Sequence, residues 1–146
     1  MTDVLNDKPS TAFWVLGAVF LLWNLLGLFG YYTQVTMTPE TMAANFTEAQ
    51  QAWLAGEPVW ATAAYATAVT AGIIAAALML LRKALALPLF IVSFVAVIVQ
   101  DFNAFVLSDW KAVWGNSALY LPSVVIIICI VEIWYTRAAK AKGWLS

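Results

Sequence analysis

Four long apolar segments fill most of this 146-residue sequence, and they constrain its fold more than any other feature. The hydrocarbon core of a bilayer is about 30 Å thick, and an α-helix needs about 20 mainly apolar residues to cross it. Apolar stretches of that length run over residues 11–35, 58–81, 84–107 and 117–136. The sequence therefore predicts an all-α integral membrane four-helix bundle, with residues 1–146 forming a single transmembrane domain.

The composition favours lipid over water as the solvent of the outer surface. Only 10% of the residues are charged and 64% are hydrophobic, whereas soluble domains carry about 25% charged residues. The net charge of −1 gives no basic footprint for nucleic acid. Membrane lipid is therefore an expected partner, and nucleic acid is not.

The lack of histidine and the single cysteine, Cys129, restrict the chemistry open to this chain. Without histidine there is no imidazole ligand for haem or zinc, and no Ser-His or Cys-His nucleophile pair. One cysteine forms neither an intrachain disulfide nor a CxxC pair. We expect no metal and no cofactor, and the sequence leans against an enzyme without excluding one.

The basic residues indicate which side of the membrane each loop occupies. Six of the seven Lys and Arg residues fall on one predicted side, namely Lys8, Arg82, Lys83, Arg137, Lys140 and Lys142. Only Lys111 falls on the other side, together with four acidic residues: Glu40, Glu48, Glu57 and Asp109. Because cytoplasmic loops are enriched in Lys and Arg, both termini are predicted to be cytoplasmic.

A short helix is predicted between the first and second spans, on the side opposite the termini. Thr38 is a suitable N-cap before Pro39, and Gly56 is a typical residue at the end of a helix. The helix is expected over residues 40–55. With the predicted orientation it would lie in the periplasm.

The second span is rich in small residues. Ala64, Ala68, Gly72 and Ala76 recur every four residues and share one helical face. Small residues let helix backbones approach closely in lipid. This face predicts contact with two neighbouring helices or with a second protomer.

Polar residues inside the spans are the candidate functional residues, because a polar group in hydrocarbon needs a partner. Asn24 lies halfway along the first span and Gln34 near its outer end, while Gln100, Asp101 and Asn103 cluster in the outer third of the third span. Three aromatic residues would surround the mouth of an outward-facing pocket: Tyr31, Tyr32 and Trp60. Together these eight residues form the predicted ligand-binding site, and Asn24 would alternatively form a hydrogen bond between helices.

Two acidic residues within the spans need an explanation. Asp101 would bond Lys111, line a water-filled cavity, or stay neutral with a raised pKa. Glu132, predicted near the cytoplasmic end of the fourth span, would form an ion pair with a basic residue such as Arg82 or extend to the interface.

Short motifs along nearly the whole chain carry a likeness to known proteins. They are WNLLG at 23–27, YYTQ at 31–34, MTPE at 37–40, PVW at 58–60, AAYA at 63–66, LLRK at 80–83, Gln100 and GWL at 143–145. These motifs resemble a family of small four-helix bacterial inner-membrane proteins, some loosely labelled sugar transporters. The resemblance implies a multi-pass protein of the cell inner membrane, and no particular catalytic or binding residue.

Two functions follow as hypotheses. The first is the binding or transport of a small polar solute through the outward-facing pocket, because amides, a carboxylate and aromatic rings suit sugars or amines. The alternative is a structural or accessory subunit that docks on a larger membrane complex through the small-residue face of the second span. A homo-oligomer is a further possibility, since four helices would need to pair to enclose a transport path.

Overall fold

The computed structural model describes residues 8–146, and the first seven residues of the predicted N-terminal tail lie outside this range. Four helices are long and apolar enough to cross a membrane. They are α1 (Thr11–Val35), α4 (Val59–Leu80), α5 (Ala86–Phe102), which continues as a π-helical turn (Asn103–Leu107), and α7 (Tyr120–Ala141). The prediction of an all-helical protein with four apolar spans is confirmed for the described residues.

The shorter elements join the spans at one end of the bundle. They are α2 (Pro39–Asn45), α3 (Glu48–Ala55), α6 (Trp110–Trp114) and a 3-10 turn (Asn116–Leu119). The single helix predicted over residues 40–55 is two helices. The break occurs because Thr47 caps α3 in a capping box, in which its hydroxyl accepts from the Gln50 N–H and the Gln50 side chain accepts from the Thr47 N–H.

The fourth span is longer than predicted. It ends at Ala141 rather than at residue 136, because Arg137 and Lys140 occupy exposed positions that a helix can continue through. Glu132 consequently lies well inside the helix. It accepts a hydrogen bond from Asn24 and makes no ion pair with Arg82 in the described chain, so the predicted ion pair at the membrane edge is wrong.

The helix α4 lies at the centre of the packing, with α1 on one side and α5 on the other. Its predicted small-residue face is buried, with Ala68 and Ala76 each at most 5% exposed. A Cβ on Gly72 would collide with the Asn24 side-chain amide, so glycine is what lets α1 and α4 approach at this level. This face is occupied inside the bundle and is not the docking surface that the accessory-subunit interpretation required.

The two ends of the bundle differ, and we name them by what they carry. The tail end holds the α4–α5 connection and the C-terminal residues, which meet through hydrogen bonds between Ser146 and the backbone of Arg82 and Ala84, each 3.0 Å long. The loop end holds the short helices. There α3 packs on α6, and the Trp53 ring is perpendicular to the Trp114 ring at 6.0 Å.

The packing between α1 and α7 is looser than that of the pairs α1–α4, α4–α5 and α5–α7. The four spans therefore do not close into an evenly packed bundle. The space left between α1 and α7, over α4 and α5, positions the candidate site.

Candidate functional site

A cavity of about 360 Å³ lies in the middle of the bundle, and all four spans line it. We call it the central cavity. Its apolar wall includes Trp23, Leu26, Val97 and Val125. Its polar lining comprises Asn24, Tyr65, Ser93, Gln100, Asp101 and Glu132. Three of the predicted site residues, Asn24, Gln100 and Asp101, are thus brought together around one space.

A buried hydrogen bond between Asn24 and Glu132 connects α1 and α7 across this cavity. The Asn24 Nδ2 atom donates to Glu132 Oε1 at 3.0 Å and to the backbone carbonyl oxygen of Phe20 at 2.8 Å. Glu132 is 1% exposed and Asn24 is 7% exposed. Because α1 and α7 have few other close approaches, this bond is a main polar link between them.

Ser93 shows how a buried polar group on the opposite wall is satisfied. Its hydroxyl donates to the backbone carbonyl oxygen of Ala68 at 2.7 Å, and so ties α5 to α4. This bond uses the Ser93 hydrogen and leaves oxygen lone pairs as acceptors. The cavity is therefore bordered on this side by a fixed hydroxyl oxygen rather than by a mobile side chain.

Asp101 lines the central cavity and has free hydrogen-bonding capacity. Its Oδ2 atom is buried and has no hydrogen-bond partner. Within residues 8–146 it forms no ion pair with Lys111, which borders a separate, exposed surface concavity with Asp109. Of the explanations predicted for Asp101, the bond to Lys111 is therefore excluded in this structure, and its position on a cavity wall is observed.

A second cavity, of about 120 Å³, lies next to the central one toward the loop end. Gln100, Asp101 and Pro122 line both cavities, so these residues form the boundary between them. Asn103, another predicted site residue, lines only this loop-end cavity. It begins the π-helical turn, an irregularity that is frequent at functional sites in helical proteins.

The rest of the loop-end cavity is formed by Glu57, Ala104 and three aromatic residues, among them Trp53 and Trp110. The Trp53 indole N–H donates to Ser108 Oγ at 3.0 Å, which holds α3 over the end of α5. The cavity is consequently covered by a short helix and not by one of the spans.

Gln34 lies outside both of these cavities and bonds Glu57. Its Nε2 atom donates to Glu57 Oε2 at 2.6 Å, and the Thr62 hydroxyl donates to the same oxygen at 3.4 Å. Burial raises the pKa of Glu57, and these two hydrogen bonds partly oppose the rise. Gln34 thus positions an acid that lines the loop-end cavity, rather than lining the central cavity itself.

The three predicted aromatic residues line neither the central nor the loop-end cavity in the described chain. The Tyr31 ring packs edge-on against the Tyr65 ring at 5.5 Å, and Tyr65 is the residue that lines the cavity. Tyr32 and Trp60 are 62% and 44% exposed. Both face away from the bundle, where rings of this kind anchor a helix at a lipid interface.

Sequence reasoning missed several lining residues, above all Glu132 and Tyr65. Glu132 was placed too close to the helix end, because the basic residues after it suggested that the helix stops there. Tyr65 carried no local signal, since aromatic residues near span ends usually act as anchors. The glycine Gly72 was a usable signal: a glycine within a span often faces a bulky or polar side chain from a neighbouring helix.

The chemistry available at this site is hydrogen bonding and charge. The central cavity offers two carboxyl groups, two amides and two hydroxyls, and no imidazole or amine. Residues 8–146 hold no group of three His, Cys, Asp or Glu side chains arranged to bind a metal ion. The groups that line the cavity can form hydrogen bonds and ion pairs.

Comparison with known proteins does not assign this chain to a known class of protein. No protein family, no curated protein and no solved structure matches this chain. The fold and the site define a helical protein with four spans long enough to cross a membrane and a polar cavity between them.

Proposed function

We propose that this protein lies in the cell inner membrane with both termini in the cytoplasm, and that it binds and transports a small polar solute in its central cavity. The observation that supports this most is the placement of two carboxyl groups and two amides around one cavity between apolar spans. Polar groups are costly inside a membrane, and those found there usually serve a function.

The dimensions of the cavity support binding of a small molecule. Pockets for small ligands have volumes of about 300–1,000 Å³ and combine an apolar wall with a few placed polar groups. The central cavity, at about 360 Å³, falls at the lower end of this range and has this mixed lining. A solute of roughly the size of a monosaccharide or a small amine is therefore the expected occupant.

In the proposed orientation, the solute approaches the central cavity from the outer side of the membrane. The tail end carries Arg82, Lys83 and the basic C-terminal residues, so it is the cytoplasmic end by the positive-inside rule. The loop-end cavity then lies on the outer side and borders the central cavity at Gln100 and Asp101. A solute would reach the central cavity from outside through this boundary.

Orientation is tested with an impermeant maleimide on intact cells. In a Cys129→Ser background, Asn45→Cys at the exposed loop end should label and Lys142→Cys at the exposed tail end should not. The reverse pattern would overturn the proposed orientation.

Binding is tested with a pair of neighbouring substitutions of the same size. Val125 lines the central cavity, whereas Val124 is 43% exposed and is not part of the lining. A solute at one hundred times its Kd should stabilise the purified protein by about 2.7 kcal/mol. We expect at least one member of a panel of sugars, amines and amino acids to raise the Tm, Val125→Phe to abolish that rise, and Val124→Phe to preserve it.

Two results would contradict the proposal. One is a solute whose stabilising effect survives Val125→Phe unchanged, since that solute would bind elsewhere. The other is a panel of which no member raises the Tm of the unmodified protein. Stable copurification with a larger complex instead would favour the accessory-subunit role, through a surface other than the buried face of α4.

A further inference from the structure

We infer that the solute bound in the central cavity is a small organic cation, with its charged group between Asp101 and Glu132 and its apolar part against Trp23 and Tyr65. This inference rests on the proposed function and names its substrate class.

The distribution of charge around the cavities supports it. Three acidic residues line the central and loop-end cavities, namely Glu57, Asp101 and Glu132, and no Lys or Arg is found in either lining among the described residues. The whole sequence, by contrast, is nearly balanced, with 8 acidic and 7 basic residues. The cavities are therefore selectively acidic, and a cation is the complementary ligand.

The unused hydrogen-bonding capacity of the two carboxyl groups supports an ammonium group in particular. A carboxylate offers about four acceptor sites. Glu132 accepts one side-chain hydrogen bond, from Asn24, and the buried Asp101 Oδ2 accepts none. A primary ammonium group has three N–H donors and one positive charge, so it can donate to oxygens of both carboxyl groups and balance the charge of one of them.

A neutral solute would supply hydrogen-bond donors to the carboxyl groups but no positive charge. A sugar hydroxyl donates hydrogen bonds but brings no positive charge to offset an ionised carboxyl group in a medium of low polarity, where unpaired charges are costly. A proton would neutralise a carboxyl group but would leave the cavity unfilled. An organic cation supplies positive charge and also fills the cavity. Protons compete with it for the same carboxylates.

The apolar wall accounts for the organic part of the ligand. Trp23 and Tyr65 border the cavity together with aliphatic residues such as Leu26 and Val97. An inorganic cation would leave this wall uncovered, whereas an amine with a small apolar body would contact it.

The first test compares two probes of the same shape and different charge. Binding of 2-phenylethylammonium and of 2-phenylethanol is measured by titration calorimetry on the protein in nanodiscs, with empty nanodiscs subtracted, and methyl glucoside serves as a neutral polar probe. We expect the ammonium to bind about tenfold or more tightly than either neutral probe. Its affinity should fall by about tenfold or more in Asp101→Asn and in Glu132→Gln.

Matched variants separate a local from a general charge effect. Asp109→Asn and Glu48→Gln each remove an exposed acid and should leave ammonium binding unchanged. If methyl glucoside binds as tightly as the ammonium, the cation inference is wrong while the proposed function stands. If none of the three probes binds and no solute of the panel raises the Tm, both are wrong.

A second measurement uses Cys129 as a reporter and does not depend on a suitable ligand. This sole cysteine of the chain lines the central cavity. Its rates of reaction with the cationic trimethylammonioethyl and the anionic sulfonatoethyl methanethiosulfonates are each divided by the rates for a free small thiol. The normalised cation-to-anion ratio should exceed unity by about tenfold. Asp101→Asn should lower it and Asp109→Asn should not, and a ratio near unity in the unmodified protein would overturn the inference.

Discussion

The tail end and the loop end of the bundle are built from different side chains. At the tail end, Phe13, Met79 and Phe90 are at most 1% exposed and form one apolar cluster with the C-terminal residues Trp144 and Leu145. From the middle of the bundle to the loop end, polar residues line two adjoining cavities, and a buried carboxylate oxygen of Asp101 has no partner. Close packing at the tail end and unfilled polar space from the middle to the loop end thus occupy different levels of the same four helices.

The residues that stabilise the fold by close packing and the residues that line the cavities therefore lie at different levels of the bundle. Apolar contacts at native density stabilise a fold but leave no room for a ligand. A polar cavity does the reverse, since its unfilled volume and unpaired groups reduce stability. We therefore expect variants at the tail end to change stability without changing access to the cavity, and variants at the cavity to change access or binding more than stability.

The largest loss of stability is expected where the two regions meet, at Gly72. The Gly72→Leu variant would force the larger side chain against the Asn24 amide and separate α1 from α4. We expect a loss of about 3 kcal/mol or more, measured by thermal unfolding in detergent. The half-buried neighbour Ile73 provides the control, because Ile73→Leu conserves volume and should cost less than about 1.5 kcal/mol. Equal melting of the two variants would show that α4 does not pack closely at Gly72.

A loss of nearly the same size is expected at the tail end, from Trp144→Ala. The Trp144 ring is 8% exposed, packs edge-on against the Phe13 ring at 5.8 Å, and lies under the Lys142 ammonium at 4.7 Å. Truncating a buried tryptophan costs about 3 kcal/mol or more, and a terminal segment can relax to reduce this. The reaction rate of Cys129 with thiol reagents should stay unchanged. A large change in that rate would show that the tail end also controls the cavity.

An intermediate effect is expected from Asn24→Ala, which removes the side-chain donor to Glu132. A buried acceptor left without its partner costs about 1–3 kcal/mol. Since this bond joins α1 to α7, Cys129 should also react faster in the variant. Thr33→Ala is a suitable control, because Thr33 lies on the same helix, is exposed, and bonds only the Gly30 carbonyl of its own helix. No change in either quantity in Asn24→Ala would mean that the Asn24–Glu132 bond does not hold the two helices together.

The parts of this architecture that follow from single segments could be predicted from the sequence. The four spans could be predicted because the thickness of a membrane determines how many apolar residues a helix needs to cross it. The small-residue face of α4 could be predicted because the period of an α-helix determines which residues share a face. The Asn24–Glu132 bond could not be found in this way, because it joins residues 108 positions apart and depends on how α1 and α7 are rotated. The cavity is a gap between helices, and no run of residues encodes it directly.

The same reasoning explains the mixed outcome at the predicted pocket. Gln100, Asp101 and Asn103 line the loop-end cavity together because they share one stretch of the chain. Tyr32 and Trp60 were grouped with them by depth in the membrane alone, and depth does not determine which way a side chain faces. Tyr65 supplies an aromatic ring to the cavity instead.

The smallest expected effect concerns pH and Glu57, which precedes α4 at the loop end. Burial raises the pKa of its carboxyl group above the ordinary value of 4.5, and hydrogen bonds from Thr62 and Gln34 limit the rise. An acid whose pKa is higher in the folded protein than in the unfolded chain stabilises the fold in its protonated form. This contribution is fully present below the unfolded value and is lost as the pH rises through the folded value. Glu57 should therefore contribute a small decrease in Tm with rising pH between about pH 4 and pH 7, and Glu57→Gln should make the decrease observed in thermal unfolding less steep. Glu48→Gln, at an exposed acid of the same end, should leave the decrease in place. If Glu57→Gln makes the decrease steeper, the hydrogen bonds to its charged form outweigh its burial, and the loop end is more closely packed around this acid than its cavities indicate.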